Sequence, residues 1–282
     1  MILVTAANGR TGQSVVRALA RSGREVRAFD ISADVEQLVG RGAEEFVAGD
    51  LLDPVDLRRA VDGVHAVIHI GPPMHPREIE MGHGVVSAAR QAGVDHFVQF
   101  SVTHPQLEPL LNHQAKLAVE RVVLLSRMPF TILQPMHYMQ NTDVRSVVAE
   151  GTLRQPYALD SRLALVDLED VAEVAANVVG DPRHHNATYE LCGRDYCEAH
   201  EIAGVISAVS GRTVSAVLAE LPATSPGAGS SEGDDYRHDA MVRLFDHYGR
   251  YGITGNPNVL TWLLGRPPTT LEEYVRRSLA AR

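Results

Sequence analysis

TAANGRTGQ, residues 5–13, decides the fold. It follows an apolar run, ILVT (2–5), and leads into Val15, Val16 and Leu19, which recur at helical spacing. The nine residues therefore read as a tight turn from a strand into a helix. Such a turn aims backbone N–H groups and the positive end of a helix dipole at one point, which suits a diphosphate. Gly9 lets the backbone approach the phosphates, and Gly12 lets the helix pack against the strand. Ala6, Asn8, Arg10 and Thr11 complete the expected binding turn. Ala6 stands where the first glycine of a G-x-x-G-x-x-G spacing belongs, and its methyl group is tolerable if φ stays negative.

Outward from this turn, strand patterns at 2–5, 25–30, 45–48, 66–70, 96–101 and 130–134 alternate with helical ones. Leu57, Val61 and Val64 mark the helix after the third strand, Val85, Val86 and Ala89 the next. Leu117, Val119, Val122 and Leu125 mark the one after the fifth. Alternation of this kind predicts an α/β fold: a Rossmann-type doubly wound parallel sheet, with a smaller C-terminal α/β substrate subdomain. The expected division is 1–150 and 151–282, the sheet recruiting parts of 160–195. After residue 141 the rhythm breaks. A strand at 163–166, a helix at 167–179, a strand at 188–191 and a helix at 199–209 follow. LPATSPGAGSSEGDD (221–235) reads as a mobile loop or lid, and the tail as helices broken at 252–257 and 265–268.

Asp30 ends the second strand, where a carboxylate can accept from both hydroxyls of an adenosine ribose and would repel a 2′-phosphate. That favours NAD. Arg10 and Arg27 could compensate a 2′-phosphate, so NADP stays open. Asp50, followed by Leu51, either reaches the adenine amino group or caps the helix that begins near Asp53.

Composition narrows the classes. The 282 residues carry a formal net charge of −9 and no basic run, a poor match to a nucleic-acid backbone. No apolar window is long enough to span a bilayer, and no leader pattern opens the chain, so no membrane role and a cytoplasmic location are expected. Cys192 and Cys197 lack partners for zinc or a disulfide framework. The 13 histidines show no metal-binding spacing. A homodimer stays open.

Of the 26 basic side chains one, Lys116, is lysine and the rest are arginine. A compact ammonium with three rotatable donors does what a planar guanidinium does poorly. His113 lies one turn earlier on the same helical face. Ser101, His104, His75 and His137 fall at the carboxyl ends of strands, where open α/β sheets bind ligands, and Met74, Met136, Tyr138 and Met139 accompany them. Tyr138 and His137 read as pocket residues, Met139 as core. A rim of this kind fits a flat aromatic or quinone-like ligand.

TAANGRTG (5–12), GDLLD (49–53), SVTHP (101–105), the helix around Lys116 and TILQPMHYMQN (131–141) resemble the NmrA-like branch of the atypical short-chain dehydrogenase/reductases. VDLEDVAEVAANVV (166–179) and LLGRPPTTLEEYV (263–275) resemble it too. The resemblance implies NAD(P) binding and a C-terminal part closing over substrate. It also implies one of two activities: reduction of quinones, other aromatics or carbonyls, or a regulator that binds the dinucleotide without chemistry. It makes Lys116 the holder of the nicotinamide ribose hydroxyls, with Ile70, Gly71, Pro72 and Pro135 along the cofactor. Two further departures stand out. Gln134 replaces an arginine, and Asn112 occupies the place of the catalytic tyrosine four residues before Lys116. His113, His104, His137 or Ser101 are then the candidates to supply or orient a proton, with polar packing the competing role for His113. The leading expectation is an NAD(P)-dependent oxidoreductase of a bulky aromatic, quinone-like or polycyclic substrate, including natural-product tailoring by reduction or oxygenation. The alternative is a dinucleotide redox sensor. A sugar-nucleotide epimerase or dehydratase is weaker, because such enzymes use the missing tyrosine.

Overall fold

The computed structural model describes residues 1–31, 40, 42–220 and 232–280. In chain order the described strands are β1 (Ile2–Thr5), β2 (Val26–Asp30), β3 (Glu45–Ala48), β4 (Ala66–His69), β5 (His96–Phe100) and β6 (Phe130–Pro135). After them come β7 (His137–Tyr138), β8 (Thr152–Gln155), β9 (Leu163–Val166), β10 (Ala187–Leu191), β11 (Tyr196–Cys197) and β12 (Ser215–Leu218). The described helices are α1 (Arg10–Arg21), α2 (Pro54–Val61), α3 (Glu78–Ala92), α4 (Leu111–Leu125) and α5 (Val144–Glu150). The later ones are α6 (Leu168–Val178), α7 (Ala199–Ser210), α8 (Glu232–Tyr251), α9 (Asn258–Leu264) and α10 (Leu271–Ala280).

Seven strands form one sheet in the order β10-β6-β5-β4-β1-β2-β3, and the pairings among β1 to β6 are all parallel. This is the Rossmann-type doubly wound arrangement. Strands β1, β4, β5 and β6 are buried at every position, which is why their sequences are near-continuous apolar runs without alternation. Leu3, Phe29, Val67, Phe97 and Ile132 from the sheet pack with Leu57, Val61, Val85, Val86, Val119 and Val123 from α2, α3 and α4. The strand order reverses between β1 and β4, and the carboxyl ends at such a switch point are where open α/β sheets bind ligands.

The chain forms two compact units, Met1–Gln134 with Val171–Tyr189, and Pro135–Asp170 with Glu190–Arg282. The first unit stops short of residue 150, and 171–189 rejoin it from within the 160–195 range expected to be recruited to the sheet. The reason lies in α6 and β10: Val171, Ala172, Val174, Ala175 and Val178 are fully buried, and β10 covers the open side of β6. A distant segment thus completes the first unit. In the second unit β11-β9-β7 form a small sheet and β8 pairs in parallel with β12. The two acids of VDLED are structural there. Asp170 accepts from Arg266, from the Thr269 hydroxyl and from the Thr269 N–H. Asp167 accepts from Arg277, from Gln140 and from the Glu169 N–H. Both carboxylates are essentially inaccessible, and so they tie the C-terminal segment down through charge-assisted bonds. Of the 221–235 stretch, residues 221–231 lie outside the described residues, and 232–235 open α8. Among the described residues no helix is long and apolar enough to cross a membrane.

Candidate active site

The turn between β1 and α1 has the geometry of an anion site. Helix α2 is capped by Asp53 and α5 by Asp143. Helix α1 starts from Gly9 with no side-chain cap and no acidic residue in its first turn. Its positive end is left for a ligand. Ala6 is left-handed, φ +47°, so the condition of a negative φ is not met. The tight turn requires that conformation, and a non-glycine residue there costs about 1 kcal/mol. The Ala6 carbonyl accepts the Gly9 N–H at 3.1 Å. The same oxygen would lie 2.2 Å from a Cβ on Gly12 and 3.2 Å from one on Gly9. One carbonyl therefore dictates both glycines. Arg10 is exposed at the start of α1, and Thr11 is half-buried.

Asp30 clamps this turn. Its Oδ2 accepts the Asn8 N–H at 2.9 Å, while the Ala7 N–H donates to Phe29 O at 3.1 Å. The carboxylate thus sits beside the phosphate turn at the end of β2. Arg27 points elsewhere. Its guanidinium donates to Glu45 and to the carbonyls of Ala60 and Asp62, at the opposite, amino edge of the sheet. It offers nothing to a 2′-phosphate, which removes it as an argument for NADP. Asp50 accepts the Leu52 N–H at 2.9 Å and so stabilises its own turn, whereas the cap of α2 is Asp53. The capping role weighed for Asp50 is thereby filled by its neighbour. Leu51 packs against the core.

On α4, the Lys116 ammonium lies 2.7 Å from Oε1 of Glu78, the first residue of α3, and the two side chains are 12% and 2% exposed. Both atoms press on Gly71, just past β4: a Cβ there would sit 3.3 Å from Glu78 Oε1 and 3.4 Å from Lys116 Nζ. Glu78 is the residue that sequence reasoning missed. Glu78 and Glu80 both suit a helix first turn, and nothing in REIE (77–80) shows that one is buried under Lys116 while the other pairs with Arg77 outside. Beneath them His69 is fully buried. Burial, and then the Lys116 charge, push its imidazole down to about 3. It stays neutral, bridged at 2.9 Å to the Thr5 hydroxyl, which also accepts the Ile70 N–H.

Asn112, one turn before Lys116, is half-buried with no partner on its Oδ1. Ser101, just past β5, is 6% exposed, and its Oγ has no partner. His113 donates its Nδ1–H to the carbonyl of His104 at 2.9 Å, and His104 is itself left-handed, φ +54°. That proton holds the 101–110 loop, which supports the packing role for His113. His75 accepts the Arg77 N–H and so belongs to the turn into α3. Gln134 donates to buried Glu120, which accounts for an amide where the family resemblance suggests arginine.

Residues 135–139 belong to the second unit, and Pro135 there closes β6. His137 and Tyr138 form β7 and are half-buried, while Met136 and Met139 are buried. The His137 ring meets Tyr248 edge-on at 5.7 Å, and Tyr248 meets Tyr157 edge-on at 5.5 Å. Burial pushes both phenols above their ordinary pKa, so they remain neutral.

The NmrA-like family model matches residues 1–275. The chain is 28% identical to the NAD(P)H azoreductase of Xenophilus azovorans, over 100% of this chain and 99% of that one. It is 34% identical to the (4-alkanoyl-5-oxo-2,5-dihydrofuran-3-yl)methyl phosphate reductase of Streptomyces griseus, over 75% of this chain and 74% of that one. In fold it is similar to the triphenylmethane reductase of Citrobacter sp. complexed with NADP(H): TM-score 0.82, 23% identity, 99% of this chain and 100% of that one.

Proposed function

Since the chain belongs to the NmrA-like family, we propose that it is an NAD(P)H-dependent reductase of a bulky conjugated acceptor, aromatic or quinone-like. The carrying observation is the uncapped start of α1, where the Ala6 carbonyl leaves room only for glycine at position 12. That turn holds the diphosphate through its N–H groups, with Asn8, Gly9, Arg10 and Thr11 lining it. Asp30, already fixed beside the turn, accepts from the adenosine ribose and disfavours a 2′-phosphate, so NAD(H) is the preferred form. Lys116 holds the second ribose beside Gly71, and Pro72 continues the same edge.

A bound reduced nicotinamide supplies a hydride. The protein supplies position and a polar environment. Ser101 offers an unpartnered hydroxyl at the end of β5, and Asn112 an unpartnered amide oxygen on α4. Asn112 cannot donate a proton as a tyrosine would. An acceptor whose added electrons are delocalised needs less help from an acid than an isolated ketone does, because its conjugate acid is stronger. Azo compounds, oxo-dihydrofurans and triphenylmethane dyes, the compound classes in the names of these relatives, are conjugated acceptors of this kind.

The test mixes purified protein, NADH or NADPH, and a panel of quinones, azo dyes and triphenylmethane dyes, following the absorbance of the reduced cofactor. Consumption with at least one acceptor, faster with NADH, is expected. Binding without consumption would replace the reductase by a dinucleotide sensor, the reading that Asn112 favours.

A further inference from the structure

A carboxylate buried to 2% exposure must be neutralised and also satisfied as an acceptor. Glu78 has the first without the second. The Lys116 ammonium stands 2.7 Å away, yet it approaches off the directions of a hydrogen bond, and no N–H or O–H of the described residues is aimed at Oε1 or Oε2. A neighbouring carboxylate shows the contrast. Glu120 is also buried, and its Oε1 accepts from Gln134 at 2.8 Å. Glu78 carries acceptor capacity that the chain leaves unused.

Its position gives that capacity a direction. Because Gly71 has no side chain, nothing but its backbone separates the end of β4 from Glu78 Oε1 and Lys116 Nζ, which would lie 3.3 and 3.4 Å from a Cβ there. This is the carboxyl edge of the strand beside the switch point, where a dinucleotide crosses the sheet. An ammonium only donates and a carboxylate only accepts. A vicinal diol does both through each of its hydroxyls. A hydroxyl that accepts from Lys116 and donates to Glu78 is satisfied on both sides, and so is the carboxylate.

We propose that Glu78 is a cofactor-binding residue: with Lys116 it forms a charge-balanced clamp for the diol of the ribose that bears the nicotinamide. The inference deepens the dinucleotide reading above and rests on it. It also gives a reason for the chain's one lysine. A compact ammonium donates to one hydroxyl at a time, where a guanidinium presents a broad planar fork.

The test is calorimetric titration of the full-length protein with two probes. ADP carries the adenosine and diphosphate alone; ADP-ribose adds the second diol without nicotinamide. Wild type should bind ADP-ribose more tightly than ADP. Glu78→Gln should weaken ADP-ribose about tenfold or more while ADP stays within about twofold, and Glu78→Asp should show the same pattern to a smaller degree. The ADP titration doubles as the check that each variant is folded. If both probes weaken together in both variants, or if ADP-ribose is unaffected, Glu78 is a structural ion-pair partner and the inference falls. Wild-type protein that binds neither probe would overturn the dinucleotide reading itself, a distinguishable failure.

Discussion

A buried polar residue starts strand β5 and another follows directly after it, and the two are treated in opposite ways. His96, at its start, is fully buried with both ring nitrogens bonded. Nδ1 accepts the Gly180 N–H at 3.0 Å, and Nε2 lies 3.0 Å from the Thr131 hydroxyl, which itself donates to His184 O. Ser101, just past its end, is 6% exposed with no partner on its hydroxyl. The same contrast runs along the sheet. At the amino edge Arg27 is spent on Glu45 and two carbonyls, and the N-terminal ammonium meets His65. At the carboxyl edge Glu78, Ser101 and Asn112 hold unmet hydrogen-bonding capacity. Backbone strain does not separate the edges. Ala6, Met74 and His104 are left-handed at one, but Arg127 and Asn186 are left-handed at the other. Hydrogen-bond satisfaction does separate them. At one edge the chain meets these needs itself, and at the other it keeps buried polar atoms without a partner among the described residues.

The strongest way to break this contrast is Gly12→Val. The new Cβ would meet the Ala6 carbonyl at 2.2 Å and the Ala7 Cα at 2.7 Å, both backbone atoms that cannot swing aside. Dinucleotide affinity should fall at least about a hundredfold by titration, equivalent to roughly 3 kcal/mol or more. The circular dichroism of the folded fraction should keep its α/β character. An affinity close to wild type would mean that no diphosphate rests on this turn.

Acid should attack both ends through their histidines. Burial is the first cause at each. It holds His69 down to about 3, helped by Lys116, and His96 down to about 4, helped by His185 and His184. Both lie below the unfolded value near 6.5, so the unfolded chain takes up these protons first. The stabilisation is complete above about pH 6.5 and is lost as pH falls towards about 4 for His96 and about 3 for His69. Each unit of displacement is worth about 1.4 kcal/mol. Urea unfolding at stepped pH should show the decline. His96→Gln should flatten it between pH 6.5 and 4 and leave dinucleotide affinity at pH 7 unchanged. A change in affinity would contradict the division of labour between the edges.

Ser101→Ala sharpens the comparison from the other side. Removing an unpaired buried hydroxyl relieves a desolvation cost of about 1 kcal/mol or slightly more. The ligand-free variant should unfold at higher urea than wild type, while reductase turnover or dinucleotide affinity declines. A loss of stability would show that the hydroxyl is satisfied within the folded chain.

What the sequence disclosed follows the same line between local and distant causes. The phosphate turn was legible because TAANGRTGQ contains its own strand end, glycines and helix start. β3 and β9 match their expected ranges to the residue, since apolar content and flanking turns are local too. The helix breaks in the tail, marked by glycine and proline, separate α8, α9 and α10 as expected. The pairing of β8 with β12 was not legible: both are short, and their register depends on packing between segments far apart in the chain. The return of α6 and β10 to the first unit was legible only as a range, parts of 160–195 joining the sheet, and not as particular elements. Glu78 was hidden for a related reason, because its burial is set by a lysine 38 positions later and by a glycine on a third element. Lys116 showed itself through the rarity of its residue type and through the family resemblance of its helix.

The smallest expected effect tests whether strain at the phosphate turn has a function. Ala6 occupies φ +47° in a position where glycine would be free of the Cβ penalty. Ala6→Gly relieves about 1 kcal/mol in the folded state and returns part of it through the greater freedom of the unfolded chain. The net gain in urea unfolding should be about 0.5 kcal/mol. Dinucleotide affinity should stay within about twofold, because the carbonyl that shapes the turn is the same in both residues. A variant more stable but distinctly weaker in binding would show that the methyl group holds the Ala6 carbonyl in its binding orientation. The strain would then belong to the carboxyl edge as surely as the open hydroxyl of Ser101 does.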